Sequence, residues 1–309
     1  MAEIDWDAIV HEHLDGFTAA ELPPLMKLPA LPHAATLFIQ KANDENAPIA
    51  ELARIIETDS GLTTELLKYV NSSFIGLRSK VKTVQHTLTL LGRRPAKMHI
   101  VTTATQGAVR ARQSKLIHQA AFWNATLQKA LFARQVAGLL KADRDLAFAG
   151  AVLQDYLLPV ISNELYDDYL EFVEHRDDMP ACLCEFEQQK FGWDHAFAGA
   201  ALAVRWHLPA DLACCILFHH AGLRILGHPQ LGRTAVAAVA LSALLPDELR
   251  QHRHGLEQLA KLGQKWPAFD LHALAEEVDR EHEEVGLGLR NAFPLSRLCR
   301  PILEALVPA

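Results

Sequence analysis

Apolar residues return every three or four positions along most of the chain. Leu52, Ile55 and Ile56 form one stripe, Leu62, Leu66, Leu67 and Val70 a second, and Val81, Val84, Leu88 and Leu91 a third. That spacing places each set on one face of a helix, and the stripe that includes Leu67 is expected to be core. No stretch sustains the alternation of a half-buried strand, so the pattern predicts an all-α fold. The punctuation agrees. Pro48 suits a first helical turn, Asp59 or Ser60 a helix cap, Gly92 a stop after Leu91, and Pro95 the opening of the next helix. Further helices are expected at QAAFWNATLQKALFARQVAGLL, LAFAGAVLQDYLLPVISNEL, AFAGAALAVRWHL, PADLACCILFHHAG, TAVAAVALSALL and LHALAEEVDREHEEV. The polar stretch 246–268, which carries Pro and Gly, is the softest boundary. The chain therefore divides into a lead-in (1–21), a helical domain (22–245) with lobes at 22–115 and 116–245, and a C-terminal helical extension (246–309).

Composition narrows the classes. With 309 residues, half of them hydrophobic, the chain can fill a substantial core, and a net charge of -7 gives no general footprint for nucleic acid or an anionic membrane. The apolar runs are shorter than the roughly 20 residues that span a bilayer. The N-terminus lacks the basic and apolar regions of an export signal, and five cysteines on such a chain suit a reducing compartment, so a cytoplasmic location is expected. Cys182, Cys184, Cys214, Cys215 and Cys299 offer a zinc reading, but Cys214 and Cys215 stand side by side in an apolar helical pattern and read as small core residues. The acidic run AEEVDREHEEV reads as a solvated helix face.

Candidate chemistry concentrates in three places: the adjacent Gln154 and Asp155 in an apolar run, His195 in FGWDHAFAGAAL, and His219 with His220 in LFHHAG. Imidazoles and a carboxylate converging on one point would bind a divalent ion, but consecutive residues on a helix diverge by about 100°, so His219 and His220 cannot both face it unless the helix ends there. Gly222 suggests an end nearby, and one of the two is expected to face the core and the other the surface. The plainer reading makes Asp155 a buried acceptor bonded by a helix terminus or by His195, with Asp194 capping the helix that His195 opens. Arg93, Arg94, Lys97, Arg110, Arg112 and Lys115 form a local basic zone that reads as a solvated face, or as a site for an acidic partner or a nucleotide phosphate. Phosphate-cradling, nucleophile-elbow and H-E-x-x-H motifs do not occur.

Taken in order, LPALP (28–32), LARIIETDSGLTTELLKYVNSSFIG (52–76), VKTVQHTLTLLG (81–92), AFWNAT (121–126), AFAGAVLQD (147–155), FGWDHAFAGAALAVRWHLP (191–209) and His219-His220 resemble the HDOD domains, helical regulatory relatives of the HD-type metal phosphohydrolases. The resemblance implies an HD-like fold of two packed helical lobes. It also implies a first metal-binding His at or next to Ala125, a His-Asp pair at Gln154-Asp155, and a final Asp within 235–245, where Ser242 is the one polar residue. Only Asp155 then survives of the implied ligands. The expectation that follows is a relic metal site with no metal, cofactor or catalytic residue. It belongs to a non-catalytic bacterial signalling module acting through protein partners, such as cyclic-di-nucleotide or chemotaxis-type proteins. Its partner surface is expected near Phe74, Ile75, Leu77 and Arg78. A small nucleotide is the candidate ligand of the cleft at Gln154, Asp155, His195, His219 and His220. The alternative is a divergent metal-dependent phosphohydrolase in which Asp155, His195 and His219 or His220 rebuild a ligand cluster.

Overall fold

The computed structural model describes residues 4–17, 30–44, 46–72, 75–110, 114–175, 182–285, 291 and 293–306. Phe74 and Arg112, the first positions of the resembling region, and the domain's expected start at 22 lie outside the described residues. Among the described residues the secondary structure is helical, and the single β pairing is an isolated antiparallel bridge between Cys182 and His252.

Two hydrophobic clusters organise the chain. The first is built from Phe38, Leu52, Ile56, Leu66, Leu88 and Ile100, each fully or almost fully buried, on the helices His33–Ala42, Ile49–Glu57, Ser60–Val70, Val84–Leu91 and Arg93–Arg110. Local chemistry sets the ends of these helices. Asp59 accepts from the Leu62 amide at 3.0 Å, Thr83 from the His86 amide at 3.2 Å, and Gly92, at a φ of +81°, ends the helix with a geometry that side chains rarely adopt. The stripe in Ser60–Val70 turns inward through Leu62, Leu66 and Val70, whereas Leu67, expected in the core, is only half-buried. Three residues separated by four steps define a face narrower than the sequence pattern suggested, and Leu67 falls at its edge.

Helix Arg93–Arg110 belongs to both clusters. Ala96, Ile100 and Ala104 face the first, and Met98, Val101 and Val109 face the second. The expected basic zone is largely engaged in contacts within the chain. Arg93 donates to the carbonyls of Asp44 and Ala47, Lys97 to Asn43 Oδ1, and Arg94 pairs with Asp143 and Asp211 at 2.9 Å each. Arg110 lies over the Trp123 ring.

The second cluster surrounds helix Gln119–Leu140, which is buried on nearly every side over its middle turns. Against it pack Arg144–Leu153 and Ala235–Ser242, and next to these lie Ala210–Leu217 and His195–Arg205. Residues of the C-terminal region, among them Leu259, Phe269, Val278 and Cys299, join this same cluster. The stretch Arg144–Glu164 is long and apolar enough to cross a membrane by length and composition, but nearly all of it is buried inside the fold. It is a core element, and it is not one helix. Pro159 lacks an amide hydrogen and its ring crowds the carbonyl four residues back, that of Asp155. The helix accordingly stops at Leu153, a turn covers Gln154 to Leu157, and a new helix runs Leu158–Glu164.

Glycines let the helices that flank this turn approach closely. A Cβ on Gly150 would stand 2.6 Å from Cys215 Cβ and 3.0 Å from Val239 Cγ2, and one on Gly199 would stand 3.0 Å from Ile216 Cγ2. Gly150→Ala should therefore cost about 1 to 3 kcal/mol of unfolding free energy by forcing helix Ala210–Leu217 outward. Urea unfolding measures it, and an unchanged midpoint would contradict the packing described.

In the N-terminal lobe, Leu66→Ala should cost about 2 to 5 kcal/mol, whereas Leu67→Ala, at the edge of the core, should cost distinctly less. Equal losses in paired melts would refute the assignment of the buried face. His99, half-buried and stacked on Tyr69 with ring centroids 4.1 Å apart, has its pKa lowered to about 4, chiefly by burial, with Glu65 opposing. Its folded-state value lies below its unfolded value, so the stability it confers is complete above about pH 6.5 and is lost as pH falls toward 4. Replacement by Phe should flatten the stability profile in that window by about 1 to 3 kcal/mol. A parallel slope in wild type and His99→Phe would exclude this origin.

Candidate metal centre

Asp155 sits in the turn that Pro159 enforces, and the neighbouring residues hold that turn against the rest of the core. Tyr156, next in sequence, donates its hydroxyl to the Gly199 carbonyl at 2.9 Å, tying the turn to the helix that carries His195. Asp155 itself is 5% exposed.

His195 is the first residue of helix His195–Arg205, and Asp194 caps that helix as expected, accepting from the Phe197 amide at 2.8 Å. Glu187, fully buried on helix Leu183–Phe191, accepts from the His195 amide at 3.0 Å and stands 2.7 Å from His195 Nδ1. Its other oxygen accepts from the Tyr169 hydroxyl. This carboxylate therefore caps a helix and orients an imidazole at once. Burial alone would lower the pKa of His195, but Glu187 and Asp155 outweigh it and push it up to about 10.

Helix Ala210–Leu217 ends just before the histidine pair, and the chain tightens into a 3-10 segment over His219–Gly227 with a kink at Gly222. The expected 100° divergence belongs to a continuing α-helix and does not apply here. The two rings lie beside each other, centroids 3.9 Å apart, and both turn toward Asp155. His219 Nδ1 meets the Ile216 carbonyl at 2.6 Å, and His220 Nδ1 meets His252 Nε2 at 2.9 Å.

With the Nδ1 atoms engaged outside, the Nε2 atoms point inward. His195 Nε2 lies 3.2 Å from His219 Nε2 and 2.8 Å from His220 Nε2, and Asp155 Oδ1 lies 3.4 and 3.3 Å from the first two. Asp155 Oδ1 is buried and lacks a well-formed hydrogen bond. Donors about 2.1 Å from one ion stand about 3.4 Å apart in a tetrahedron and about 3.0 Å apart as neighbours in an octahedron, so this spacing fits a single divalent ion. The outer partners fit as well. A ligating imidazole typically gives its second N–H to a carboxylate or carbonyl, as His195 and His219 do here.

The other oxygen of Asp155 faces a different charge. Lys129, from helix Gln119–Leu140, donates to Asp155 Oδ2 at 2.9 Å and to Asp247 Oδ2 at 2.8 Å, with its side chain only 3% exposed. Gln154 donates to Asp155 Oδ2 at 3.2 Å, and Gln251 to Asp247 Oδ2 at 3.0 Å. Burial opposes charge on both Lys129 and Asp155. Their attraction prevails, raising the ammonium pKa and holding that of Asp155 well below the carboxylate range, with His195 and His219 adding to the latter. Burial and the three neighbouring imidazoles hold His220 neutral, its pKa lowered well below the usual value. A small recess opens beside this pair, lined in part by Phe122, Thr126, Lys129, Asp155 and Asp247.

These positions correct the reading of a relic. Four donors, from Asp155, His195, His219 and His220, are present and clustered, so the site is not degenerate, and the expectation of a non-catalytic module built on a missing ligand set is overturned. The relic reading counted donors near Ala125, at Gln154 and within 235–245, and left the cluster of Asp155, His195 and His219 or His220 as the alternative, which these positions favour. Gln154, 1% exposed, is bonded to Asp155 and Ser242 and instead steadies the carboxylate. Cys214 and Cys215 are core residues, as expected. Sequence reasoning missed Lys129, Glu187, Asp247 and His252. Lys129 alone carried a signal, as a charged residue directly before the apolar run Ala130 to Ala133.

Comparison with known proteins accords with this fold. The chain is 28% identical over 204 residues to an uncharacterized protein of Treponema pallidum, a match that spans 62% of this chain and 37% of that relative. A crystal structure bearing the name "Putative phosphohydrolase", from Shewanella amazonensis SB2B, superposes with a TM-score of 0.60 at 19% identity, covering 94% of this chain and 95% of that one. An HDOD domain protein with unknown function from Geobacter sulfurreducens gives a TM-score of 0.59 at 20% identity, covering 96% and 93%. At these identities the two structures show the fold alone. The HDOD domain model matches residues 28–222, well over half of the sequence, and the chain belongs to the HDOD domain family.

Proposed function

We propose that the chain is a divergent metal-dependent phosphohydrolase whose ion is held by Asp155, His195, His219 and His220. The observation that carries this reading is the convergence of three Nε2 atoms and the orphaned Asp155 Oδ1 inside a shell that orients each of them. The name borne by the Shewanella relative points the same way. A divalent ion at this point would polarise a phosphoryl oxygen and acidify water. Four protein donors would close a tetrahedral ion, so ions that accept five or six ligands, such as manganese, iron or nickel, suit catalysis here. His220 is the partly exposed member of the set and marks the side from which solvent reaches it. Glu187 holds the His195 ring, and Lys129 supplies positive charge on the opposite side of the Asp155 carboxylate. Within this reading the activity serves cytoplasmic signalling, with a small nucleotide as the substrate class to test first.

The test begins with metal analysis of protein purified without an affinity tag and loaded with Mn²⁺, Fe²⁺ or Ni²⁺. Close to one equivalent should be retained, and His220→Ala and Asp155→Ala should lose both the ion and hydrolysis of phosphoesters. Glu187→Gln, which keeps an acceptor but not its charge, should weaken metal affinity about 10- to 100-fold. A folded protein that retains no ion and hydrolyses no phosphoester under any of these loadings would end the proposal.

A further inference from the structure

The carboxylates of Asp155 and Asp247 face one another across a single atom, Lys129 Nζ, at 2.9 and 2.8 Å. Their side chains are 6% and 10% exposed, so neither is neutralised by bulk water. Two buried carboxylates this close demand a cation between them. The amides of Gln154 and Gln251 each turn an N–H to the same Oδ2 atoms and complete the seat.

Charge balance across the whole centre gives this arrangement a meaning beyond a salt bridge. Asp155, Asp247 and Glu187 bring three negative charges into one buried region, and with neutral imidazoles the Lys129 ammonium and one divalent ion cancel them. A second divalent ion beside Lys129 would leave a buried excess of positive charge. Without Lys129, the same three carboxylates and one ion would leave a deficit of one. Asp155 is the link, since Oδ1 faces the imidazoles and Oδ2 faces the ammonium. The pocket that touches Lys129, Asp155 and Asp247 would supply the space and water that a second ion needs once the long side chain is removed.

We infer that Lys129 is a built-in second cation: its ammonium occupies a two-carboxylate seat that would otherwise take a metal ion, and it limits the centre to one ion. The inference rests on the metal-binding reading of the imidazole cluster.

The experiment counts manganese by mass spectrometry after loading and desalting, and records the electron paramagnetic resonance spectrum of each sample. Wild type should hold one ion with the spectrum of isolated Mn²⁺, and Lys129→Arg, which keeps the cation, should match it. Lys129→Ala should hold two, with a spectrum changed by coupling through the shared Asp155, and adding Asp247→Ala to it should return the count to one. Lys129→Ala that holds a single ion while folded overturns the inference and leaves the metal-centre proposal standing. So does a second ion that survives loss of Asp247. If Lys129→Ala does not fold, added Mn²⁺ should restore its thermal transition, and failure to do so shows that a divalent ion does not replace the ammonium, which also overturns it. A wild-type protein that holds no ion removes both readings together.

Discussion

Everything at the centre of this molecule depends on taking one carboxylate, that of Asp155, almost completely out of water. An isolated charge at such a position is prohibitive, and a buried ion pair robbed of one partner typically costs about 3 to 5 kcal/mol. The fold meets this constraint by surrounding the two oxygens differently. Oδ2 receives Lys129 and the Gln154 amide, and Oδ1 faces the inward edges of His195 and His219 at 3.4 and 3.3 Å without a well-formed hydrogen bond. The two sides draw on different helices, so the carboxylate pins together elements far apart in sequence. The pin holds only because Pro159 breaks the helix at this point, freeing the Asp155 side chain from a helical register, and because Gly150 and Gly199 let the flanking helices close around it.

The outer shell shows the same logic one layer out. Glu187 holds His195, the Ile216 carbonyl holds His219, and His252 meets His220. These contacts leave one nitrogen of each ligating ring free to face inward, which three neighbouring imidazoles would otherwise avoid. Burial and the neighbouring rings hold His220 neutral, whereas His195, placed between two carboxylates, is pushed the other way. A divalent ion at this point would meet Asp155 Oδ1 and the three Nε2 atoms, and would have to displace the proton that two carboxylates favour on His195.

How far this was legible in the sequence depended on whether the information was local. Helix positions, the caps at Asp59 and Asp194, and the core roles of Leu62, Leu66, Cys214 and Cys215 followed from spacing and side-chain chemistry within a few residues. Leu67 was misplaced because a stripe read from sequence is wider than the face a neighbour covers. The site was named residue by residue, yet its meaning was inverted. Judging it by the residues at Ala125, Gln154 and 235–245 treated a three-dimensional cluster as a linear pattern, and the helix end that Gly222 signals was not carried through to two rings facing one point. Asp247 stands just beyond the interval searched, and Glu187 lies in CEFEQQKF, whose charges look like those of any solvated face. Glu187 meets His195 eight residues on, but across the break between two helices, and Lys129 lies more than a hundred residues from Asp247, so no helical spacing announces either pairing.

The N-terminal lobe bears on the centre through helix geometry rather than through contact. Asp143 caps the helix whose other end is the Asp155 turn, and Asp211 lies in the first turn of the helix that ends just before His219. Arg94, from the helix shared by both hydrophobic clusters, pairs with both acids and so touches the starts of the two helices whose ends carry the site. Its side chain is 59% exposed, so these ion pairs alone contribute little, of the order of 1 kcal/mol or less. The apolar residues of that helix supply the stronger constraint, because Met98, Val101 and Val109 are buried in the second cluster while Ala96, Ile100 and Ala104 are buried in the first. A helix committed to two cores on opposite faces resists rotation about its axis, since either sense of turn exposes apolar surface at roughly 25 cal/mol per Å². The guanidinium therefore marks the register, the two cores enforce it, and the positions of Asp155 and His219 inherit it.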